Sequence, residues 1–367
     1  MGVLGNNYNY EEGVPRHMPG DLVDDVVMIR DEKEASQIYN KGFYGYPLSG
    51  GALELDMLEA CYLLETGRIE ILHDRKPLTF SQMIRLSATT CEGFEINYIV
   101  YRDLRQRGYV VKPDTGDFDF RVFPRGGTPT TSQTKYWVLA VAERSIFDIK
   151  SFLEEMTRSE RTRKELLLGI VDEEGDITYY KASRSGMGGQ SVEGSVPETE
   201  GVLFEDRVMV LDDDEAEALY RHGFFGKKLG KALQLSLIET AYLMGLGKMK
   251  LRGPGTNRVI NLAGFVRKAI KIQPDFELRL RAYSDMRKKG LIVKTGFKYG
   301  AHFRVYESDP EKHHAKYLVH AIPEDYKAMW PEVSRAVRLA HGVKKEILFG
   351  RVSKSDVQYV KLRRVRP

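Results

Sequence analysis

The stretch FRVYESDPEKHHAKYLV, Phe303 to Val319, places a tyrosine at the end of one apolar run and a pair of histidines ahead of the next. Tyr306 and His314 stand eight positions apart. An imidazole with an ordinary pKa of about 6.5 can deliver a proton near neutral pH, whereas a phenol at about 10 accepts one only where its phenolate is favoured. The two types together suit proton transfer on either side of a reacting group. Phe120 to Val138 reads FRVFPRGGTPTTSQTKYWV, the same two runs with Phe123 in place of Tyr306 and Gln133 in place of His314. The frame therefore does not demand the titratable pair. His302, His313 and His320 lie near His314, but adjacent histidines are expected to point apart on a strand. No cysteine or paired carboxylate completes a ligand set, so no metal site is expected.

The duplication extends well beyond this frame. LELDMLEACYLLETGRIEI from Leu53 matches LQLSLIETAYLMGLGKMKL from Leu233, 180 residues on. YRDLRQRGYVVK from Tyr101 matches YSDMRKKGLIVK from Tyr283 at 182, and KELLLGIVDEEGDITYY from Lys164 matches KEILFGRVSKSDVQYV from Lys345 at 181. Matches in one order at nearly constant spacing mean two tandem copies of one unit. SRSGMGGQSVEGSVPETEG, Ser183 to Gly201, has no periodic pattern and reads as a flexible linker.

Within each copy, the apolar positions of LELDMLEACYLL recur at helical spacing, and Gly67 is placed for a C-terminal cap. The second part of each copy opens with a helix ending at Gly108 or Gly290. Short strands follow (GYVVK, FRVF, KYWVLAV; GLIVK, FRVY, KYLVHAI), then a further helix and a final hairpin. These elements predict an α/β (α+β) fold with a mixed or antiparallel sheet flanked by helices.

The 367 residues, 42% hydrophobic, suffice for several packed units. The first residues lack a signal-peptide pattern and no apolar run reaches the length of a membrane span, so a cytoplasmic protein without membrane contact is expected. Cys61 and Cys91, both in apolar helical surroundings, read as buried reduced thiols. The net charge of +4 hides an asymmetry: residues 201–367 hold 33 Lys+Arg against 19 Asp+Glu, and residues 1–200 hold 23 against 33. A +14 half beside a −10 half points to a polyanionic partner, to docking of one half on another, or to both.

RDLRQRGYVVK, KKGLIVKTGFKYGAHFRVY, HAKYLV and VKKEILFGRV resemble the catalytic module of the archaeal tRNA-splicing endonucleases, and the doubled arrangement resembles their homodimeric form. The resemblance runs from about Asp21 to the end of the chain. It implies cleavage of precursor tRNA at bulge–helix–bulge motifs without metal or other cofactor, leaving a 2′,3′-cyclic phosphate and a 5′-hydroxyl. It also implies Tyr306 as general base, His314 as general acid and Lys345 as the cation facing the pentavalent phosphorane. Lys345 is chosen over Lys344 because Lys164-Glu165-Leu166-Leu167 aligns with Lys345-Glu346-Ile347-Leu348. Lys345 is further expected to favour the Tyr306 phenolate. The first copy, with Phe123, Gln133 and Lys164, is expected to be inactive.

By the same resemblance, Arg338 and either Arg363 or Arg364 grip a bulged base, since unpaired bases are held by stacking on guanidinium planes. An acidic turn of Asp172, Glu173, Glu174 and Asp176 is expected to dock on a second copy, giving a homodimer. The expected domains are an N-terminal extension 1–20, a first N-terminal subdomain 21–95, an inactive nuclease-like subdomain 96–183, a linker 184–200, a second N-terminal subdomain 201–275 and a catalytic subdomain 276–367. A non-catalytic RNA-binding or assembly protein on the same scaffold is the alternative.

Overall fold

The computed structural model describes residues 18–190, 196–256 and 258–367. The extension expected over 1–20 thus lies, as far as residue 17, outside the described residues, as do residues 191–195 of the expected linker. Two compact units emerge. One runs to Ala142 and takes in Ser159–Thr178, and the other holds Glu143–Arg158 and Tyr179–Arg366. Among the described residues no helix is long and apolar enough to cross a membrane.

In the first unit a six-stranded sheet runs in the order Tyr46–Pro47, Leu53–Asp56, Val26–Ile29, Met18–Val23, Ile69–His73, Lys76–Pro77. Its only parallel pair is Met18–Val23 with Ile69–His73. The sequence expectation of one helix over LELDMLEACYLL is corrected here: Leu53–Asp56 is a strand, and the helix is Met57–Glu65. Asp56 makes the switch, because its carboxylate accepts from Leu58 N at 2.8 Å and caps the helix. Gly67 closes that helix at φ +64°, where a side chain would be strained. Cys61 is buried in the helix, 3.6 Å from Ser87 Oγ, and burial pushes its thiol up to about 12. Cys91 departs from expectation: it caps the helix Phe80–Thr90 and is only partly buried. Phe94–Gln106 buries Tyr98, Tyr101 and Leu104, and a second sheet follows in the order Val111–Pro113, Phe120–Val122, Tyr136–Ala142, Glu165–Val171, its last pair parallel.

The second unit repeats this plan. Its N-terminal sheet runs Lys227–Leu229, Ala232–Leu235, Val208–Val210, Thr199–Leu203, Met249–Arg252, Val259–Ile260. Its C-terminal sheet runs Ile292–Thr295, Phe303–Tyr306, Tyr317–Pro323, Glu346–Val352, Val357–Val365, and then the end of Ile177–Arg184. Tyr317–Pro323 and Glu346–Val352 are parallel and the rest antiparallel, so the sheet is mixed. Helix Phe276–Lys288 covers one face, where Tyr359 OH donates to Asp285 Oδ2 at 2.8 Å. Helix Trp330–Gly342 covers the other through the rings of Trp330, Phe147 and Phe349, with centroids 5.1 and 6.2 Å from Phe147.

Two features depart from the sequence reading. Segments of the first copy are built into this unit: Ile146–Asp148 pairs with Lys327–Met329, and Tyr179–Arg184 pairs with Val360–Val365. Such pairing covers strand edges that would otherwise be open. The linker is also not free over residues 185–190. Ser185 N donates to Tyr359 O (3.0 Å), Gly189 N to Lys289 O (2.9 Å) and Gln190 N to Glu307 O (3.1 Å), and Met187 is buried. Gly189 fits because a Cβ there would lie 2.1 Å from Gly290 O. Gly189 thus serves close approach rather than flexibility, while Gly186 and Gly188 have open space around them.

Candidate active site

Tyr306 is the last residue of its strand, Tyr317 the first of the next, and Lys345 immediately precedes the strand beyond that. Register ties these ends together. Val305 pairs with Tyr317 and Tyr317 with Glu346, and the ladder continues one residue further through Lys316 N to Val305 O (3.0 Å) and Glu346 N to Lys316 O (3.0 Å). Tyr306, Lys316 and Lys345 therefore form one row on one face at one end of the sheet. The outer two are separated by two strand spacings, about 10 Å between backbones. His314 sits in the loop two residues before Lys316. Contrary to the strand expected for them, His313 and His314 are both exposed loop residues, so alternation does not separate them.

The first copy has the same frame. Lys135 N donates to Val122 O (2.8 Å) and Glu165 N to Lys135 O (3.3 Å), placing Phe123, Lys135 and Lys164 in the equivalent row. There Lys164 Nζ donates to Gln133 Oε1 at 2.8 Å. The positions of Lys345 and His314 are thus within hydrogen-bond reach in the sister frame. Lys344 is set apart by its backbone: at φ +55° it closes the helix, as Arg163 does at φ +55° in the first copy. Lys345 leads the strand, and its Nζ has one long contact, to Val343 O at 3.4 Å.

Tyr306 is buried against Ile292 and Ala315, with Phe224 of the N-terminal subdomain packed on them. Burial raises its pKa above 10.0. The cation opposing this rise is Arg304, two residues back on the same face with its guanidinium 5.9 Å from the ring centroid. Arg304, and not the Lys345 expected for it, is thus the cation that acts on the Tyr306 ring. Lys345 instead lies over the ring of Tyr299, at 5.4 Å, and Tyr299 is also close enough to act electrostatically on Tyr306. Neither Arg304 nor Tyr299 was singled out from sequence. The signal for Arg304 was its same-face spacing of two from Tyr306.

His302 and His320 are partly buried, with ring centroids 5.3 Å apart. Burial holds His302 down to about 4 and lowers His320 as well. His302 Nδ1 accepts from Ala321 N at 3.1 Å. Among the described residues no group of three His, Cys, Asp or Glu could hold a metal ion.

Arg338 is exposed on helix Trp330–Gly342. Arg363 and Arg364, both exposed, lie near the end of Val357–Val365. Ile347 pairs with Leu362, so the same register sets Arg364 opposite Lys345 and Arg363 opposite Glu346. Arg364 therefore shares the face of Tyr306, Lys345 and the Arg338 helix, and Arg363 the opposite face. In the first unit Asp172, Glu173, Glu174 and Asp176 are exposed in a tight turn. The Asp172 carboxylate ties the turn by accepting from Glu174 N (3.0 Å) and Asp176 N (2.9 Å).

Comparison with known proteins matches both copies of the sequence to one family. The model described as tRNA intron endonuclease, catalytic C-terminal domain, matches residues 94–179 and 276–359, and that described as tRNA intron endonuclease, N-terminal domain, matches 18–84 and 199–263. The chain is 38% identical over 355 residues to a tRNA-splicing endonuclease of Methanococcoides burtonii, spanning 95% of this chain and 100% of that one. It is 39% identical over 345 residues to one of Methanosarcina mazei (91% and 95% covered), and 32% over 369 residues to one of Halobacterium salinarum (95% and 100%).

Proposed function

The chain belongs to the tRNA intron endonuclease family, and from that premise we propose that it excises introns from precursor tRNA in the cytoplasm, as a homodimer cutting at bulge–helix–bulge motifs without a metal. The observation that carries the site assignment is the row Tyr306–Lys316–Lys345 with His314 in the adjoining loop, repeated as Phe123–Lys135–Lys164 with Gln133. RNA supplies its own nucleophile. The Tyr306 phenolate takes the proton of the 2′-hydroxyl as that oxygen bonds to phosphorus. His314 gives a proton to the departing 5′-oxygen as its bond to phosphorus breaks. The products are a 2′,3′-cyclic phosphate and a 5′-hydroxyl. Lys345, without a carboxylate partner among the described residues, faces the charge that builds on the phosphorane. Arg338 and Arg364 stack on the bulged base.

The acidic turn of the first copy docks on a basic face of a second chain. Its exposure and the −10 and +14 halves support this reading, and the homodimer then holds two cutting and two scaffolding copies. The deciding experiment is cleavage of a bulge–helix–bulge RNA in EDTA with end-group analysis. Cyclic phosphate ends are expected; tight RNA binding without them would make the protein a non-catalytic binder, and a need for divalent ions would overturn the mechanism.

A further inference from the structure

A cleft of about 1080 Å³ opens between the N-terminal and C-terminal subdomains of the second copy and reaches Tyr306. Six Lys and Arg side chains line it against three carboxylates, Asp206, Glu239 and Glu311. All three carboxylates are already engaged: Asp206 with Arg207 at 2.8 Å, Glu311 with Tyr220 OH at 2.7 Å, and Glu239 with backbone and hydroxyl groups. On the cleft floor Lys294 and Arg304 are direct cross-strand partners. Like charges so placed repel.

The first copy contains the same pair, Lys112 opposite Arg121, and compensates both. Lys112 Nζ lies 2.7 Å from Glu59 Oε1, Arg121 Nε lies 3.3 Å from Asp114 Oδ1, and Arg121 also donates to Tyr46 OH at 3.3 Å. The second copy has lost the compensation at Arg121's position and kept that at Lys112's in weaker form: Lys294 Nζ still donates to Gly226 O at 2.6 Å, as Lys112 Nζ does to Gly45 O at 2.7 Å. Gly296 stands where Asp114 stood, and a Cβ there would lie 2.7 Å from Ala301 O, so no acidic side chain fits. Lys227 takes the place of Tyr46. Glu239 is shared with a capping box at Ser236, and its ion pair with Lys294 lengthens to 3.9 Å. Arg304 has no hydrogen bond or ion pair among the described residues, and its Nε is buried. Arg304, uncompensated beside the Tyr306 that only this copy carries and opposite a lysine whose ion pair has lengthened, marks a place for an anion from outside.

We propose that this cleft is a phosphate-binding subsite anchored by Arg304 and Lys294, taking the RNA backbone on the 5′ side of the cut. The direction follows from the chemistry. The base stands beside the nucleotide whose 2′-hydroxyl attacks, so chain entering from the Tyr306 side carries the phosphodiester 5′ of that nucleotide. The subsite rests on the nuclease reading, deepens it, and fixes strand polarity across the row. Arg304 thereby serves the substrate as well as the Tyr306 ring.

The test is binding of a bulge–helix–bulge RNA made uncleavable by a 2′-deoxy nucleotide at the cut, with single uncharged methylphosphonate linkages walked along the strand. In the wild-type chain the linkage 5′ of the attacking nucleotide weakens binding about tenfold. Arg304→Gln weakens binding of the unmodified RNA by a similar factor, lowers the salt slope by about one, and shows no further loss with that methylphosphonate. Arg121→Gln leaves binding unchanged. Wild-type binding that Arg304→Gln does not alter, or losses that multiply, would remove the subsite alone. A flat methylphosphonate walk on the wild-type protein removes it whatever the variant's stability. No binding by wild type would remove the nuclease reading and the subsite with it.

Discussion

The two ends of the chain present one backbone frame with two sets of side chains. Phe123 and Lys164, with Gln133 in the adjoining loop, stand where Tyr306 and Lys345, with His314, stand 181 to 183 residues later, and the same ladder hydrogen bonds extend both rows. In the first copy the lysine is satisfied by the glutamine beside it. In the second the lysine has a long carbonyl contact and the face of the Tyr299 ring, and no side-chain hydrogen bond among the described residues. The comparison teaches that building the frame and leaving its charges unsatisfied are separate properties. Only the second copy has both.

The comparison breaks most readily at the acid. His314→Ala should lower single-turnover cleavage by about 10³-fold or more, while Gln133→Ala leaves it within twofold or so. Equal losses would assign the chemistry to both copies. Phe123→Tyr with Gln133→His in the His314→Ala protein should restore little, because Arg121 there is paired to Asp114. Recovery of cleavage would show that the triad types alone suffice.

Tyr306→Phe recreates the first copy's residue and should cost about 10²–10³-fold in rate with the melting temperature nearly unchanged, since Phe123 is buried at the equivalent position. Burial raises the Tyr306 pKa above 10.0, so its base form is scarce at neutral pH and grows as pH rises. Wild-type single-turnover rates should climb through the alkaline range, and the residual rate of Tyr306→Phe should lack that limb. An alkaline limb that survives in the variant assigns the base elsewhere.

A smaller effect is expected at the docking turn. Glu174→Lys with Asp176→Lys leaves the Asp172 side chain in place to tie the turn and should shift sedimentation from dimer to monomer. An unaltered dimer would separate the acidic turn from assembly.

The smallest effect concerns stability. Ala140 N donates to Asp119 Oδ2 in the first copy, and Ala321 N to His302 Nδ1 in the second. Burial depresses His302 from 6.5 to about 4 in the folded state, so its contribution is full above pH 6.5 and is lost as pH falls through about 4. Burial raises Asp119 above 3.8, so its contribution has the opposite sense, present below 3.8 and lost as pH rises through the raised value. Unfolding in urea should show a midpoint that falls between pH 6.5 and 4, and His302→Gln should flatten that fall. An identical slope in the variant would place the sensitivity at another group, His320 being the nearest.

The local sequence by itself determined a good deal. It determined the duplication, the helices closed by Gly67, Gly108 and Gly290, the strand runs around FRVF and FRVY, and which copy holds the Tyr–His pair. These depend on residue type and short-range spacing, and comparing the two copies makes them legible. It misled where a strand passes directly into a helix, at Asp56, and where a glycine read as flexibility serves close approach, at Gly189. What only the tertiary structure decided is which charges find partners and which faces align. Arg304 lost its carboxylate because a loop closes on Gly296, Glu239 is shared between Lys294 and the Ser236 cap, and strand register set Arg364 rather than Arg363 opposite Lys345. The physical reason is that electrostatic compensation and cross-strand register depend on distances of a few ångströms between residues that can lie tens of positions apart, and no local pattern encodes those distances.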